Sequence, residues 1–219
     1  MTNILHEIGR KYGTDKSTHV HQGISYLHIY DRYFNNIRHN VKSMLEIGVK
    51  DGRSLRMWQE YFPNAFIYGM DINPASKAHE DGRIKIIIGD QNDDEDLQHI
   101  KNEIGVCDII LDDGSHMTDH QIKSFNMLYD SVPRGGFYVI EDLRNSYEEM
   151  NGTRDLREIW SGMEYNKPDD PLLNKRTDFN EWMEAKIKNL DDIYFKEEKT
   201  SLFALHYYQQ IIIFENFNN

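Results

Sequence analysis

Short β-branched runs alternate with helix-spaced segments through the middle of this chain, and that alternation predicts its fold. Residues 43–49, 65–71, 83–90, 108–112 and 136–141 each hold an apolar run bounded by turn residues, the pattern of buried strands. Between them, residues 54–61, 93–104 and 119–132 space their apolar positions as helices do. Ser54 can cap the first of these, and the second opens on acids that suit a helix N-terminus. The third turns Ile122, Phe125, Leu128 and Tyr129 toward a core. Near the C-terminus, residues 201–206 and 210–215 are two further β runs. Too few residues separate them for a helical crossover, so they should pair as an antiparallel hairpin. The expected class is α/β: a doubly wound, mostly parallel seven-stranded sheet with a C-terminal antiparallel hairpin.

The flanks read differently. Residues 3–12 suggest a short helix with Ile4, Leu5 and Ile8 on one face. Residues 25–39 place Tyr26, Ile29, Tyr30, Tyr33, Phe34 and Ile37 at helical spacing, mainly facing a core. Residues 1–40 are thus an expected N-terminal helical cap on a single domain spanning 1–219. Between the two helices, residues 11–19 are polar and contain a glycine. They read either as a surface loop or as an ordered loop that folds Tyr12, Thr14, Asp15 and Lys16 over a ligand. Residues 143–175 break the alternation with turn chemistry, Asn151-Gly152 and Lys167-Pro168-Asp169-Asp170-Pro171. They are expected to form a lid or an interface insertion, with Tyr147, Trp160 and Tyr165 as lid or subunit contacts in a homo-oligomer. Residues 177–190 return to helical spacing.

Composition narrows the function classes. With 219 residues and 39% hydrophobic content, the chain suits one soluble domain with a real core. It shows no run near the ~18 apolar residues of a membrane span, and no basic-then-apolar leader. The single Cys107 excludes an internal disulfide and fits a reducing, cytoplasmic setting. A net charge of −12 argues against nucleic acid as the main partner.

The chemistry concentrates where two strands end. Residues 108–116 read Asp-Ile-Ile-Leu-Asp-Asp-Gly-Ser-His, and residues 135–142 read Gly-Gly-Phe-Tyr-Val-Ile-Glu-Asp. Asp112, Asp113, Glu141, Asp142 and His116 would then meet at one edge of the sheet, beyond the carboxyl ends of the strands, where open α/β sheets bind ligands. Each piece has a plainer reading: Asp112 as a turn cap, Glu141-Asp142 as a helix cap, His116 as a solvated side chain. Convergence favours a site, because adjacent like charges in a cleft are costly unless a cation neutralises them.

A second constellation follows the first three strands. Glu46-Ile-Gly48-Val-Lys-Asp-Gly52 is neither a dinucleotide fingerprint nor a phosphate cradle. An acid at Glu46 suits a cationic ligand, and Gly48 permits close approach of backbone. Asp71, 25 positions later, can accept both ribose hydroxyls, and Asp90 with Gln91 can meet an adenine edge. A nucleoside carrying positive charge satisfies all of these, and S-adenosylmethionine is one.

These segments resemble the class I, Rossmann-like methyltransferases. Within them the chain is similar to the metal-dependent sugar O-methyltransferases, of macrolide and rhamnosyl type, of the cephalosporin hydroxylase family. The matching motifs are Tyr-Gly-Thr-Asp-Lys (12–16), Leu-Glu-Ile-Gly-Val (45–49), Ser-Leu-Arg-Met-Trp (54–58), Gly-Asp-Gln (89–91), Asp-Asp-Gly-Ser-His (112–116) and Val-Ile-Glu-Asp-Leu (139–143). Arg53 departs from the small residue expected there, and the 143–200 region matches nothing in the family. The resemblance implies Mg²⁺ held by Asp113, Glu141 and Asp142, with His116 as catalytic base; Asp113 is expected beside it in catalysis, and Thr14, Lys16, Glu46, Gly48, Asp71, Asp90, Gln91 and Asp112 are the residues expected to bind S-adenosylmethionine. The implied reaction is O-methylation of a sugar hydroxyl on a free sugar, sugar nucleotide or glycoside. The alternatives are N-methylation of a small amide or amine, and a metal-dependent hydroxylase, which usually needs two histidines and one carboxylate.

Overall fold

In the computed structural model, five of the β runs lie parallel in one sheet and the C-terminal pair closes it. The structure describes residues 3–18, 20–21, 24–143, 176–195, 202–208 and 210–216. The expected insertion at 143–175, with Tyr147, Trp160 and Tyr165, lies outside these apart from Leu143. A two-residue pair, β1 (Val20–His21) and β2 (Ile24–Ser25), stands apart. The main strands are β3 (Ser43–Ile47), β4 (Phe66–Asp71), β5 (Ile84–Ile88), β6 (Ile109–Asp112), β7 (Phe137–Ile140), β8 (Leu202–Tyr207) and β9 (Ile212–Asn216). Their order is β5-β4-β3-β6-β7-β9-β8. Strands β3 to β7 are parallel, and β9 runs antiparallel to both β7 and β8. The chain winds outward from β3 to β5 and then returns to lay β6 beside β3. The strand order therefore reverses between β3 and β6, the kind of switch point beyond whose carboxyl ends open α/β sheets hold their ligand crevice.

Helices cover both faces. On one lie α1 (Ile4–Tyr12), α2 (Tyr26–Phe34) and α3 (Arg53–Tyr61), whose Leu5, Tyr30, Phe34, Trp58 and Tyr61 join one core layer. On the other lie α4 (Asp94–Ile104), α5 (Thr118–Leu128) and α6 (Arg176–Phe195), whose Leu97, Ile100, Phe125, Leu128, Phe179 and Met183 form a second. Burying each such side chain contributes about 1.5–3 kcal/mol. Local chemistry sets the helix ends. Asn3 accepts from His6 N at 2.8 Å at the start of α1, and Gly13 closes it at φ +68°. Asp93 caps α4 by accepting from Glu95 N and Asp96 N.

Several local expectations shift. Ser54 is not the cap of α3: Gly52, at φ +70°, precedes the helix and Ser54 is buried inside its first turn. Helix α2 stops at Phe34, short of residue 39, with Tyr33 and Ile37 only half-buried. Helix α5 tightens after Leu128 into a 3₁₀ turn, Tyr129–Ser131, and Ile122 is half-buried rather than in the core. Ile4 faces solvent, while Leu5 and Ile8 carry the buried side of α1.

Candidate active site at the strand ends

Strand parity decides which way each acid points. Side chains alternate between the two faces of a strand. In β3, Met44 enters the α1–α3 layer while Leu45 and Ile47 enter the α4–α6 layer, so Glu46 turns toward α1–α3. In β7, Phe137 and Val139 face α1–α3, which sends Glu141 the same way. In β6, Ile110 faces α4–α6, and Asp112 follows it. The acids at these strand ends therefore divide. Glu46 and Glu141 share one side with Lys16, whereas Asp112 is held on the other by Gln91 and Ser124.

Lys16 is 1% exposed, on a 3₁₀ turn (Asp15–Ser17) directly after α1. Its ammonium donates to Asp113 Oδ2 and, at 2.8 Å, to Glu141 Oε2, and lies 3.3 Å from Glu46 Oε1. Sequence reasoning placed Lys16 over a cofactor; the structure places its Nζ inside the acid cluster. Two tyrosines read only as core complete the cluster. Tyr30 donates to Glu141 Oε1 at 2.5 Å and Tyr26 to Asp142 Oδ1 at 2.8 Å. Their four-residue spacing on α2 puts both hydroxyls on one helix face.

On the crevice side, His116 Nε2 lies 3.6 Å from Asp142 Oδ2, and His116 Nδ1 lies 4.0 Å from Asp113 Oδ1. Asp113, His116 and Asp142 each present one ligand atom, all within 4.8 Å of one another. The two carboxylates of this set offer oxygen donors of the kind a hard divalent cation takes. Glu141, named with Asp113 and Asp142 for that role, has its two oxygens on Tyr30 and Lys16. His116 and Asp142 hold left-handed backbone at φ +59° and +52°, as does Lys50 at +53° in the turn after β3. Non-glycine residues rarely adopt this region, and such strain gathers at functional sites. Gly48 adopts φ +92°, and a Cβ there would stand 2.2 Å from Asp113 O, so only glycine allows the two loops to touch.

Of the residues expected around a nucleoside, Asp71, Asp90 and Gln91 lie at or just beyond the ends of β4 and β5, several with backbone duties. Asp71 Oδ2 accepts from Val49 N and Lys50 N, and Oδ1 from Asn73 N. Asp90 Oδ1 accepts from Asn92 N. Gln91, expected at an adenine edge, is instead occupied at both ends of its amide. Nε2 donates to both Asp112 oxygens at 2.7 Å and to Ser124, while Oε1 accepts from Ser115 N at 3.0 Å. It braces the Asp-Asp-Gly-Ser loop. Thr14 is buried, and its carbonyl accepts from Ser17 Oγ. Glu46 is fully buried with no well-formed hydrogen bond at either oxygen. Its neighbours there are the Lys16 ammonium, 3.3 Å from Oε1, and the Ser54 side chain, so it is not an isolated acid.

Burial governs the electrostatics. It pushes the Glu46 carboxyl up to about 7, against the pull of Lys16 and with the repulsion of Asp113. Burial likewise raises Asp112 to about 7 despite the Gly114 and Gln91 hydrogen bonds. Glu141 is raised by burial and by Asp113. Burial alone would lower the Lys16 ammonium, but Asp113, Glu141 and Glu46 outweigh it and hold it charged. A carboxyl raised on folding binds its proton more tightly in the native state than in the unfolded chain, where it titrates near ~4. Its contribution to stability is complete below that value and is lost as pH rises through about 7. We expect the thermal midpoint, measured in chelator, to fall between about pH 5 and pH 8, and Glu46→Gln to flatten that fall. An unchanged slope in the variant would assign the fall to other groups.

No family model matches the chain. In sequence, 151 residues (65% of the chain) are 42% identical to mycinamicin VI 2''-O-methyltransferase of Micromonospora griseorubida, covering 37% of that protein. A separate alignment of 150 residues (65% of the chain) is 40% identical to demethylmacrocin O-methyltransferase of Streptomyces fradiae, again over 37% of its length. In structure, 97% of the chain superposes on MycE methyltransferase of the mycinamycin pathway, solved with Mg, SAH and mycinamycin VI. The TM-score is 0.73 at 31% identity, over 54% of that chain. The chain thus spans little more than a third of these curated relatives and about half of the solved structure.

Proposed function

We propose, from the premise that this chain has the class I methyltransferase fold and is similar to sugar O-methyltransferases, that it is an S-adenosylmethionine-dependent, Mg²⁺-assisted sugar O-methyltransferase. The observation that carries the reading is the meeting of Asp113, His116 and Asp142 at the strand ends, beside the buried Glu46. Asp113 and Asp142, with Glu141 next to them, are the residues that would hold the ion. Glu46 and the Gly48 turn would receive the cationic end of the methyl donor, with Asp71 toward the ribose. When bound, the ion lowers the pKa of a sugar hydroxyl and fixes its direction, and the donor supplies an electrophilic methyl group.

The chain's own residues supply orientation and a proton acceptor. His116 takes the hydroxyl proton on its imidazole. Asp142, fixed by Tyr26, faces the imidazole and stabilises it once charged. Methyl transfer is an in-line displacement, so positioning does most of the remaining work. The gathered set has one imidazole and two carboxylates, which does not meet the two-histidine pattern of a redox-iron hydroxylase. The acceptor would be a sugar-bearing small molecule.

The test is a screen of sugar nucleotides and glycosides with labelled methyl donor, with Mg²⁺ and with EDTA. Methylation that EDTA abolishes and Mg²⁺ restores is expected. Full activity in EDTA would move the reading to metal-independent N-methylation, and no calorimetric heat with S-adenosylmethionine at millimolar concentration would remove the cofactor.

A further inference from the structure

We propose that Lys16 is an internal stand-in for the divalent ion, an ammonium that keeps the carboxylates assembled and must give way when the ion binds. The inference rests on the reading of this cluster as an ion site. Lys16 is buried among Glu46, Asp113 and Glu141 and touches all three. Asp113 Oδ2 and Glu141 Oε2 are both taken by its Nζ, and Glu141 Oε1 is taken by Tyr30. Among the described residues no other lysine or arginine forms an ion pair with these three acids. Without Lys16, their charges would face one another in a buried space, an arrangement that strongly disfavours ionisation and the folded state.

Two of the carboxylates assigned to the ion therefore already carry a cation. A divalent ion that engages both competes with the ammonium for the same oxygens, and its affinity is reduced accordingly. The ammonium has somewhere to go. Glu46 Oε1 is 3.3 Å away and Glu46 lacks a well-formed hydrogen bond, so a small shift transfers the lysine from Asp113 and Glu141 onto it. The position of Lys16 in the chain suits such a shift. Lys16 sits on a 3₁₀ turn closed by the Ser17 bond to Thr14, and its long side chain can shift without moving that turn.

The test is binding of Mg²⁺ alone, by calorimetry and by thermal midpoint, to the wild-type chain, Lys16→Met and Lys16→Gln. The glutamine variant keeps a hydrogen-bond donor without the charge and guards against simple loss of folding in the methionine variant. We expect both variants to melt lower than wild type in EDTA, to recover in Mg²⁺ by a larger shift than wild type shows, and to bind Mg²⁺ at least tenfold more tightly. Equal or weaker Mg²⁺ affinity in the variants, with wild type still binding, overturns the stand-in and leaves the ion site intact. Absence of Mg²⁺ binding in wild type and in both variants overturns the ion site, and the stand-in with it.

Discussion

Asp113→Asn is expected to lower kcat/KM for methyl transfer by about a thousandfold. Asp113 is the residue where the two halves of the site join. Its Oδ2 accepts from Lys16, and its Oδ1 faces His116 and the crevice. Its backbone is fixed independently, by the Asp113 N bond to Ile47 O at 3.0 Å and by the contact with Gly48. The amide variant therefore keeps the loop in place while removing the charge. It also turns an N–H group toward either the Lys16 ammonium or the ion, both of which it repels. Charge stabilisation by a bound ion is worth several kcal/mol, and each ~1.4 kcal/mol is tenfold in rate. The measurement is steady-state kinetics at saturating Mg²⁺, with a melt to confirm folding. A variant retaining more than about a tenth of the wild-type rate would show that the ion, or the chemistry, lies elsewhere.

The sheet was legible in the chain because its strands are short, β-branched and bounded by turn residues, and because the 201–215 spacing allows only a hairpin. The acid-tipped ends of β6 and β7 were legible for the same reason. What the sequence hid was direction. Asp112 and Asp113 are neighbours, yet alternation along β6 sends Asp112 to Gln91 and Ser124 and leaves Asp113 at the crevice. The partners of the cluster were hidden more deeply. Lys16 is 97 positions from Asp113 and Tyr30 is 111 from Glu141. Nothing in the local pattern of α2 separates a tyrosine that fills the core from one whose hydroxyl ends on a buried carboxylate.

The strained positions show how the fold supports the site. Left-handed backbone at a non-glycine residue costs on the order of 1–3 kcal/mol and persists only where its surroundings fix it. Around His116 they do. Gln91 braces Asp112 and Ser115, Ser115 Oγ meets His120 Nδ1 at 2.9 Å, and Gln121 Nε2 donates to Glu141 O at 2.9 Å. The first turns of α5 thereby tie the β6 loop to the end of β7. These bonds hold the two loops from which His116 and Asp142 face one another.

His116→Asn separates the two roles the geometry allows this histidine, proton acceptor or ion ligand. Asparagine is the appropriate replacement because it tolerates left-handed backbone, which His116 requires at φ +59°, better than alanine does. As general base, His116 contributes about 10²–10⁴ to the rate. The expected result is a fall in kcat of that size, a Mg²⁺ affinity within about threefold of wild type, and a residual rate that climbs with pH as solvent hydroxide replaces the imidazole. If the imidazole instead holds the ion beside Asp113 and Asp142, Mg²⁺ affinity falls by about 10–100-fold and excess Mg²⁺ restores the rate. Measuring kcat against Mg²⁺ concentration at two pH values decides between them. A variant whose activity returns to wild type at high Mg²⁺ would remove His116 as the base and assign it to the ion.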